Sequence, residues 1–348
     1  MLFNDFIFIF ILILYSYIQN RFLLHYFNKN KLTILSDNNF TKPQAFHQNP
    51  TSRLGGVTIV IPILLTCLYF YIYKNIFYFE FISFCTLFFI LGFLDDLKLV
   101  TRPKSKLLIM ILFLLLLIIK NEIYIEKSGF EFLNKILEID FFSLIFISLC
   151  FLFIINGSNL IDGFNGLLAI HSLIILITFA LINFITELNN LSLFLFSMCA
   201  IILVFIKFNF PKAKVFLGDS GAYLIGSLIA VAAVSTSILN PSISPFFFCI
   251  VLFYLFFEVF FSFFRKIFFT KQNPLLPDNQ HLHMRIYKFL LKKNLTKEKA
   301  NYTTAIYINL IYLLLIFPSA FYVENFIFCK YYFIFLLFVY VYLYKKIK

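Results

Sequence analysis

Charge is scarce in this chain. Asp, Glu, Lys and Arg together make up 13% of its 348 residues, which argues against a soluble domain of ordinary composition. Trp is absent, and no function is read into that. The six cysteines, Cys67, Cys85, Cys150, Cys199, Cys249 and Cys329, form no C-x-x-C pair and all lie inside apolar runs. A thiolate metal centre or a disulfide framework is disfavoured, and the thiols read as small hydrophobes. No Gly/Ser/Pro-rich linker or charged block divides the chain, so residues 1–348 are expected to form a single domain. No internal repeat is visible, which counts against transporters built on repeats. The first apolar segment, Phe6 to Ile18, lacks a basic stretch before it and a small-residue cleavage site after it. It reads as an anchor, not a signal peptide.

What the chain does have is long apolar runs: 61% of residues are hydrophobic and the mean hydropathy is +0.92. Windows able to cross about 30 Å of hydrocarbon fall near 3–19, 55–73, 76–94, 107–119, 141–155, 164–185, 191–208, 222–239, 246–264, 302–321 and 326–344. The predicted fold is all-α, a polytopic transmembrane bundle of about 10–11 spans. Assigning the loops alternately puts 24 of the 29 Lys and Arg on one side. By the positive-inside rule that side is cytoplasmic, the N-terminus is outside and the C-terminus inside. The formal net charge of +12 is thereby explained by a membrane, and no nucleic-acid partner is expected.

The polar motifs fall on that same side, in loops 40–56, 95–106, 156–166, 207–221 and 265–301. The central one runs from Asn156 through Asn159 and Asp162 to Asn165 and Gly166, between two uncharged apolar stretches. A charged group at the bilayer centre costs roughly 2.5–3.5 kcal/mol, so Asp162 reads as functional. The three-residue spacing would gather Asn156, Asn159, Asp162 and Asn165 on one half of a helix. Asp95-Asp96 ends the third span, where carboxylates oppose the helix dipole and repel one another. A divalent cation between them is the natural resolution, since Mg²⁺ is usually held by one or two carboxylates plus substrate phosphates. Gly218-Asp219-Ser220-Gly221 opens a span and offers backbone N–H groups beside a carboxylate, suiting a metal–phosphate complex. Lys212 and Lys214 beside it can screen diphosphate charge. Arg53, in the stretch from His47 through Pro50 to Gly55-Gly56, can bind a phosphate. His281, His283 and Arg285 read as diphosphate or nucleotide contacts; a transition-metal site is disfavoured because no Cys or third His stands near. Glu258 and His171, each alone in an apolar run, stay unassigned.

Taken in order, Leu94-Asp95-Asp96, Asn156-x-x-Asn159-x-x-Asp162-Gly-x-Asn165-Gly-Leu, Gly218-Asp219-Ser-Gly and His281-x-His283 resemble the motif set of the polyprenyl-phosphate N-acetylhexosamine-1-phosphate transferases. That superfamily includes phospho-MurNAc-pentapeptide translocase and the enzymes that start O-antigen, enterobacterial common antigen and teichoic acid linkage units; the motifs lie nearer the latter group. The resemblance implies a multi-pass enzyme of the bacterial inner membrane with a cytoplasmic active site. It implies Mg²⁺, with Mn²⁺ as an alternative, and transfer of a sugar 1-phosphate from a UDP-N-acetyl sugar to undecaprenyl phosphate, releasing UMP. The family's cleft aspartates correspond to Asp95, Asp96, Asp162 and Asp219. Asp219 with Asp95 or Asp96 is expected to hold the metal, and a base role for one of the pair is a second expectation. Two departures stand out. Many relatives have Asp where Asn165 stands, and Met284 follows His283 where sugar-transferring relatives often have another His. The translocase's His-rich signature is absent, which disfavours UDP-MurNAc-pentapeptide as donor. Which sugar is transferred stays open, as does a homodimer. The rival readings are an ion-coupled transporter or flippase using Asp162 and Glu258, and an intramembrane prenyltransferase, whose motifs need more carboxylates than these.

Overall fold

Long apolar runs fold as helices in lipid because only a helix satisfies its backbone polar groups within one segment. In the computed structural model, residues 3–30, 35–37, 51–99, 102–125, 127–274, 276 and 278–347 are described. Residues 38–50, with His47 and Pro50 of the first inner motif, lie outside them, as do Glu126, Pro277 and Lys348. In chain order the helices are α1 (Phe3–Asn30), α2 (Gly55–Lys74), α3 (Phe79–Asp96), α4 (Pro103–Lys120), α5 (Glu131–Leu137), α6 (Asp140–Ile161) and α7 (Leu167–Ile185). There follow α8 (Asn189–Asn209), α9 (Gly218–Leu239), α10 (Pro245–Val251), α11 (Phe253–Phe268), α12 (Leu282–Lys292), α13 (Lys297–Ile316) and α14 (Phe326–Lys346). A two-residue ribbon pairs Ser36–Asp37 with Thr51–Ser52.

Among the described residues eight helices are long and apolar enough to cross a membrane, or nine if the bent pair α10 and α11 is one span. Helices α3 and α4 occupy the windows near 76–94 and 107–119, each 18 residues long with charged residues gathered at its ends. The fold is the all-α polytopic bundle expected. Three details differ from the windows. Helix α6 runs beyond 155 to Ile161, because its polar side chains bond back to the helix: Asn156 Nδ2 donates to Leu152 O at 2.8 Å and Ser158 Oγ to Ile154 O at 3.0 Å. Helix α4 begins at Pro103, a residue suited to a first helical position, and so is longer than its apolar window. The window at 246–264 breaks after Val251, where α10 and α11 meet at 77°. The Val251 carbonyl at the break accepts the Tyr312 hydroxyl of α13, so freed backbone is satisfied within the protein.

Helices α8 and α9 form the buried centre, while α1 and α14 expose most of their apolar side chains at the flanks, among them Phe10 and Phe338. Helix α9 packs on α2, α3, α6 and α7. Its crossing with α3 is close enough that a Cβ on Gly92 would lie 2.3 Å from Asp219 O. That contact brings the end of α3, with its two aspartates, against the start of α9.

Candidate active site

The site is built from the start of α9 outward. Gly218 adopts φ +70°, and a side chain there would collide with the Asp96 carboxylate. Asp96, buried at the end of α3, accepts the Asp219 N–H on Oδ1 and the Ser220 N–H on Oδ2, both at 3.0 Å. It therefore caps the first turn of α9 from another helix, and its charge at the negative end of α3 is balanced by the positive end of α9. The stretch before α2 is stitched to the same place. Gly55 and Gly56 N–H donate to Phe216 O and Leu217 O at 2.9 and 3.1 Å, and Phe216 N–H donates to Ser52 O at 2.7 Å. This docking carries Arg53 to Asp96, with Nη1 3.4 Å from Oδ1.

Asp95, one residue earlier, faces Lys106 of α4, whose ammonium pairs with Asp95 Oδ2 and lies 4.0 Å from Asp219 Oδ2. Lys106 and Asp219 open onto a cavity of about 660 Å³, a size suited to a nucleotide-sized ligand. Arg53, Asn156, Asn159, Asp162, Asn165, Tyr223, Lys266, His281 and Asn301 also line it. Asn159 Nδ2 donates to the Tyr223 hydroxyl of α9 at 3.2 Å. Asp162 follows the last residue of α6 with φ −74° and ψ 59°, so the expected Asn stripe is helical only as far as Ile161. Beyond it the turn is pinned: Asn165 N–H donates to Asn301 Oδ1 at 2.9 Å, Asn165 Nδ2 to Pro211 O at 2.9 Å, and Gly166 N–H to Asn209 Oδ1 at 2.7 Å. Burial and the nearby Asp219 charge, opposed by Arg53, push the Asp162 carboxyl up to about 8. The shift favours the protonated acid, which can donate a hydrogen bond.

A profile described as glycosyl transferase family 4 matches residues 77–237. The phospho-N-acetylmuramoyl-pentapeptide-transferase of Prochlorococcus marinus (strain MIT 9301) is 32% identical over 314 residues, spanning 82% of this chain and 84% of that one. The chain belongs to glycosyl transferase family 4. Within it, the chain falls among the polyprenyl-phosphate sugar-1-phosphate transferases as a multi-pass membrane protein. Two further phospho-N-acetylmuramoyl-pentapeptide-transferases match over shorter lengths. That of Dictyoglomus turgidum (strain DSM 6724 / Z-1310) is 32% identical over 202 residues, 61% of its length. That of Listeria innocua serovar 6a (strain ATCC BAA-680 / CLIP 11262) is 31% identical over 196 residues, 60% of its length.

The family-4 site gathers some of the residues expected from sequence and leaves others aside. Arg53, Asn156, Asn159, Asp162, Asn165, Asp219 and His281 line one cavity, with Asp95 and Asp96 directly behind it. The expected cation between Asp95 and Asp96 is not how the pair is accommodated, because Lys106 meets one and the start of α9 meets the other. Lys212 instead pairs with Glu298 at the surface, 2.8 Å away, and Lys214 is exposed. His283 is fully buried, 3.2 Å from the Tyr254 hydroxyl, and burial holds its ring down to about 3. Arg285 lies over the Tyr344 ring at 3.9 Å and donates to Tyr344 O and Ile347 O at 2.6 and 3.3 Å, a cation closing the C-terminal end of α14. Sequence reasoning missed Lys106, Tyr223, Asn209, Lys266 and Asn301; only the two lysines had a signal, their place in basic inner loops.

Among the described residues no group of three or more His, Cys, Asp or Glu could hold a metal ion. Mg²⁺ needs no such cage when substrate phosphates complete its shell. The Lys106 ammonium, drawn towards both Asp95 and Asp219, marks where positive charge is favoured. Asp219 with Asp95 fits a divalent ion that arrives with a diphosphate; Asp96, with both oxygens engaged, does not.

Proposed function

We propose that this chain transfers an N-acetylhexosamine 1-phosphate from a UDP-sugar to undecaprenyl phosphate at the cytoplasmic face of the bacterial inner membrane, starting a lipid-linked cell-surface glycan. An acceptor phosphate oxygen bonds to the donor phosphorus that carries the sugar, the diphosphate bridge breaks, and UMP leaves. The observation that carries this reading is the meeting of Asp95, Lys106 and Asp219 beside a cavity lined by Lys106, Asp219, Arg53, Lys266 and His281.

A phosphomonoester has its second pKa at about 6, so the acceptor is mostly dianionic near neutrality and needs little help from a base. The work left to the protein is positioning and charge neutralisation. Arg53 and Lys106 supply cationic donors for phosphate oxygens, and Lys266 adds positive charge to the cavity wall. Asp162 in its acid form, with Asn156 and Asn159, would offer hydrogen bonds to the nucleotide or the acceptor phosphate. Mg²⁺, held by Asp219 and Asp95, would neutralise the donor diphosphate. Asp96 keeps the first turn of α9 in place so that Asp219 is correctly aimed.

Exchange of radiolabelled UMP into UDP-N-acetylglucosamine in membranes containing the protein tests the reaction class. Exchange that needs divalent cation and polyprenyl phosphate is expected; no exchange with any UDP-sugar contradicts the reading. A second donor, UDP-MurNAc-pentapeptide, is favoured by the names of the relatives. Adding it to the same panel of donors decides between the two.

A further inference from the structure

Glu258 is fully enclosed in α11, yet its carboxylate is bonded on both oxygens. Oε1 accepts the Leu282 N–H at 3.1 Å and lies 3.0 Å from His281 Nδ1. Oε2 accepts the Tyr340 hydroxyl of α14 at 2.5 Å. A carboxylate already accepting from an N–H and an O–H leaves the imidazole as the donor, so His281 carries its proton on Nδ1. That choice determines what the other ring nitrogen can do.

His281 lines the cavity, and its Nε2 is 3.4 Å from Asp278 Oδ1. Asp278 is itself paired with Arg265 at 2.9 Å and Lys266 at 3.6 Å. Burial pushes the Asp278 carboxyl up, but the Gln280 N–H and neighbouring positive groups, Arg265 and Lys266 among them, outweigh it and hold the group below its ordinary value. The neighbouring His283 ring stacks parallel to His281, with centroids 5.4 Å apart. Helix α14 is fixed at this level a second time, by Arg285 of α12 across Tyr344. A helix on the outer flank of the bundle is thus linked to His281 of the cavity wall, through Tyr340 and Glu258.

We propose that Glu258 and Tyr340 are positioning residues that set the tautomer and orientation of His281, making α14 a working part of the site. The consequence for turnover rests on the transfer reading above, whereas the tautomer itself does not. Glu258→Gln retains the size of the side chain but lets an amide turn and donate to Nδ1, admitting the wrong tautomer. Tyr340→Phe removes the hydrogen bond on Oε2 and leaves Glu258 held by its Oε1 contacts alone.

The test is solid-state ¹⁵N NMR of the full chain in liposomes, labelled on its five histidines, with His281→Gln to assign the signal. The expected wild-type spectrum shows His281 protonated and hydrogen-bonded at Nδ1, moving towards the Nε2–H form in Glu258→Gln. In parallel, kcat/KM should fall about tenfold in Glu258→Gln and severalfold in Tyr340→Phe, measured at a temperature where each variant is still fully folded. If the wild type transfers no sugar phosphate, the reaction reading fails and the spectra still decide the tautomer. Identical His281 signals in wild type and Glu258→Gln, or variants that lose stability without any change of tautomer, overturn the proposal.

Discussion

The two carboxylate oxygens of Asp96 accept the backbone N–H groups of Asp219 and Ser220, each at 3.0 Å, so the end of one helix caps the start of another 123 residues away. Asp96→Asn leaves one of these N–H groups facing an amide NH₂. It should cost about 1–3 kcal/mol of stability, as an unsatisfied buried partner does, and should lower activity by re-aiming Asp219. Asp95→Asn should lower activity with stability kept. Thermal melts followed with a thiol-reactive dye, which reads the buried cysteines as they become exposed, separate the two.

Gly92 carries the same crossing. With a Cβ only 2.3 Å from Asp219 O, Gly92→Ala must push α3 and α9 apart, and overpacking of this kind costs about 1–3 kcal/mol. The expected result is a lower melting temperature together with reduced turnover. An alanine variant as stable and as active as wild type would show that the close contact does not set the site.

Much of this architecture is readable in the chain and some of it is not, for reasons that particular residues make plain. Apolar windows locate the helices because lipid demands them. The four motifs meet because each stands at a span end on the charge-rich side. The roles within the cluster depend on partners far away in sequence. Asp95 and Asp96 look equivalent until Lys106 and the start of α9 separate them. Glu258 has no partner in its own apolar run, because its partners lie 23 and 82 residues on. The break after Val251 has no Gly or Pro within the bend to announce it. Lys212 has a surface carboxylate to pair with, Glu298, that local reading could not supply.

Asp162 gives a pH signature. Its folded pKa is pushed up to about 8 by burial and by Asp219, whereas an unfolded chain releases that proton near an ordinary value of about 3.9. Between these values the native state binds more protons than the unfolded one, so stability falls as pH rises through the window. Without divalent cation, Asp162→Asn should therefore gain melting temperature relative to wild type between pH 5 and pH 8. Parallel melting curves across that range would contradict the burial of an unpaired carboxyl there.

Lys212 and Glu298 form an exposed pair at 2.8 Å, outside the cavity lining. Exposed pairs contribute little. Lys212→Ala should leave turnover and melting temperature unchanged, whereas Lys106→Ala should abolish most activity. Equal losses in the two variants would return Lys212 to the site.

The most direct measurement is mass spectrometry of the lipid formed when the purified protein, in liposomes with undecaprenyl phosphate and Mg²⁺, is given a panel of UDP-N-acetyl sugars. The account predicts an undecaprenyl diphosphate-linked sugar and an equal amount of UMP with at least one donor, both lost in Asp219→Asn. No lipid-linked product from any donor, or undiminished product from Asp219→Asn, would contradict it.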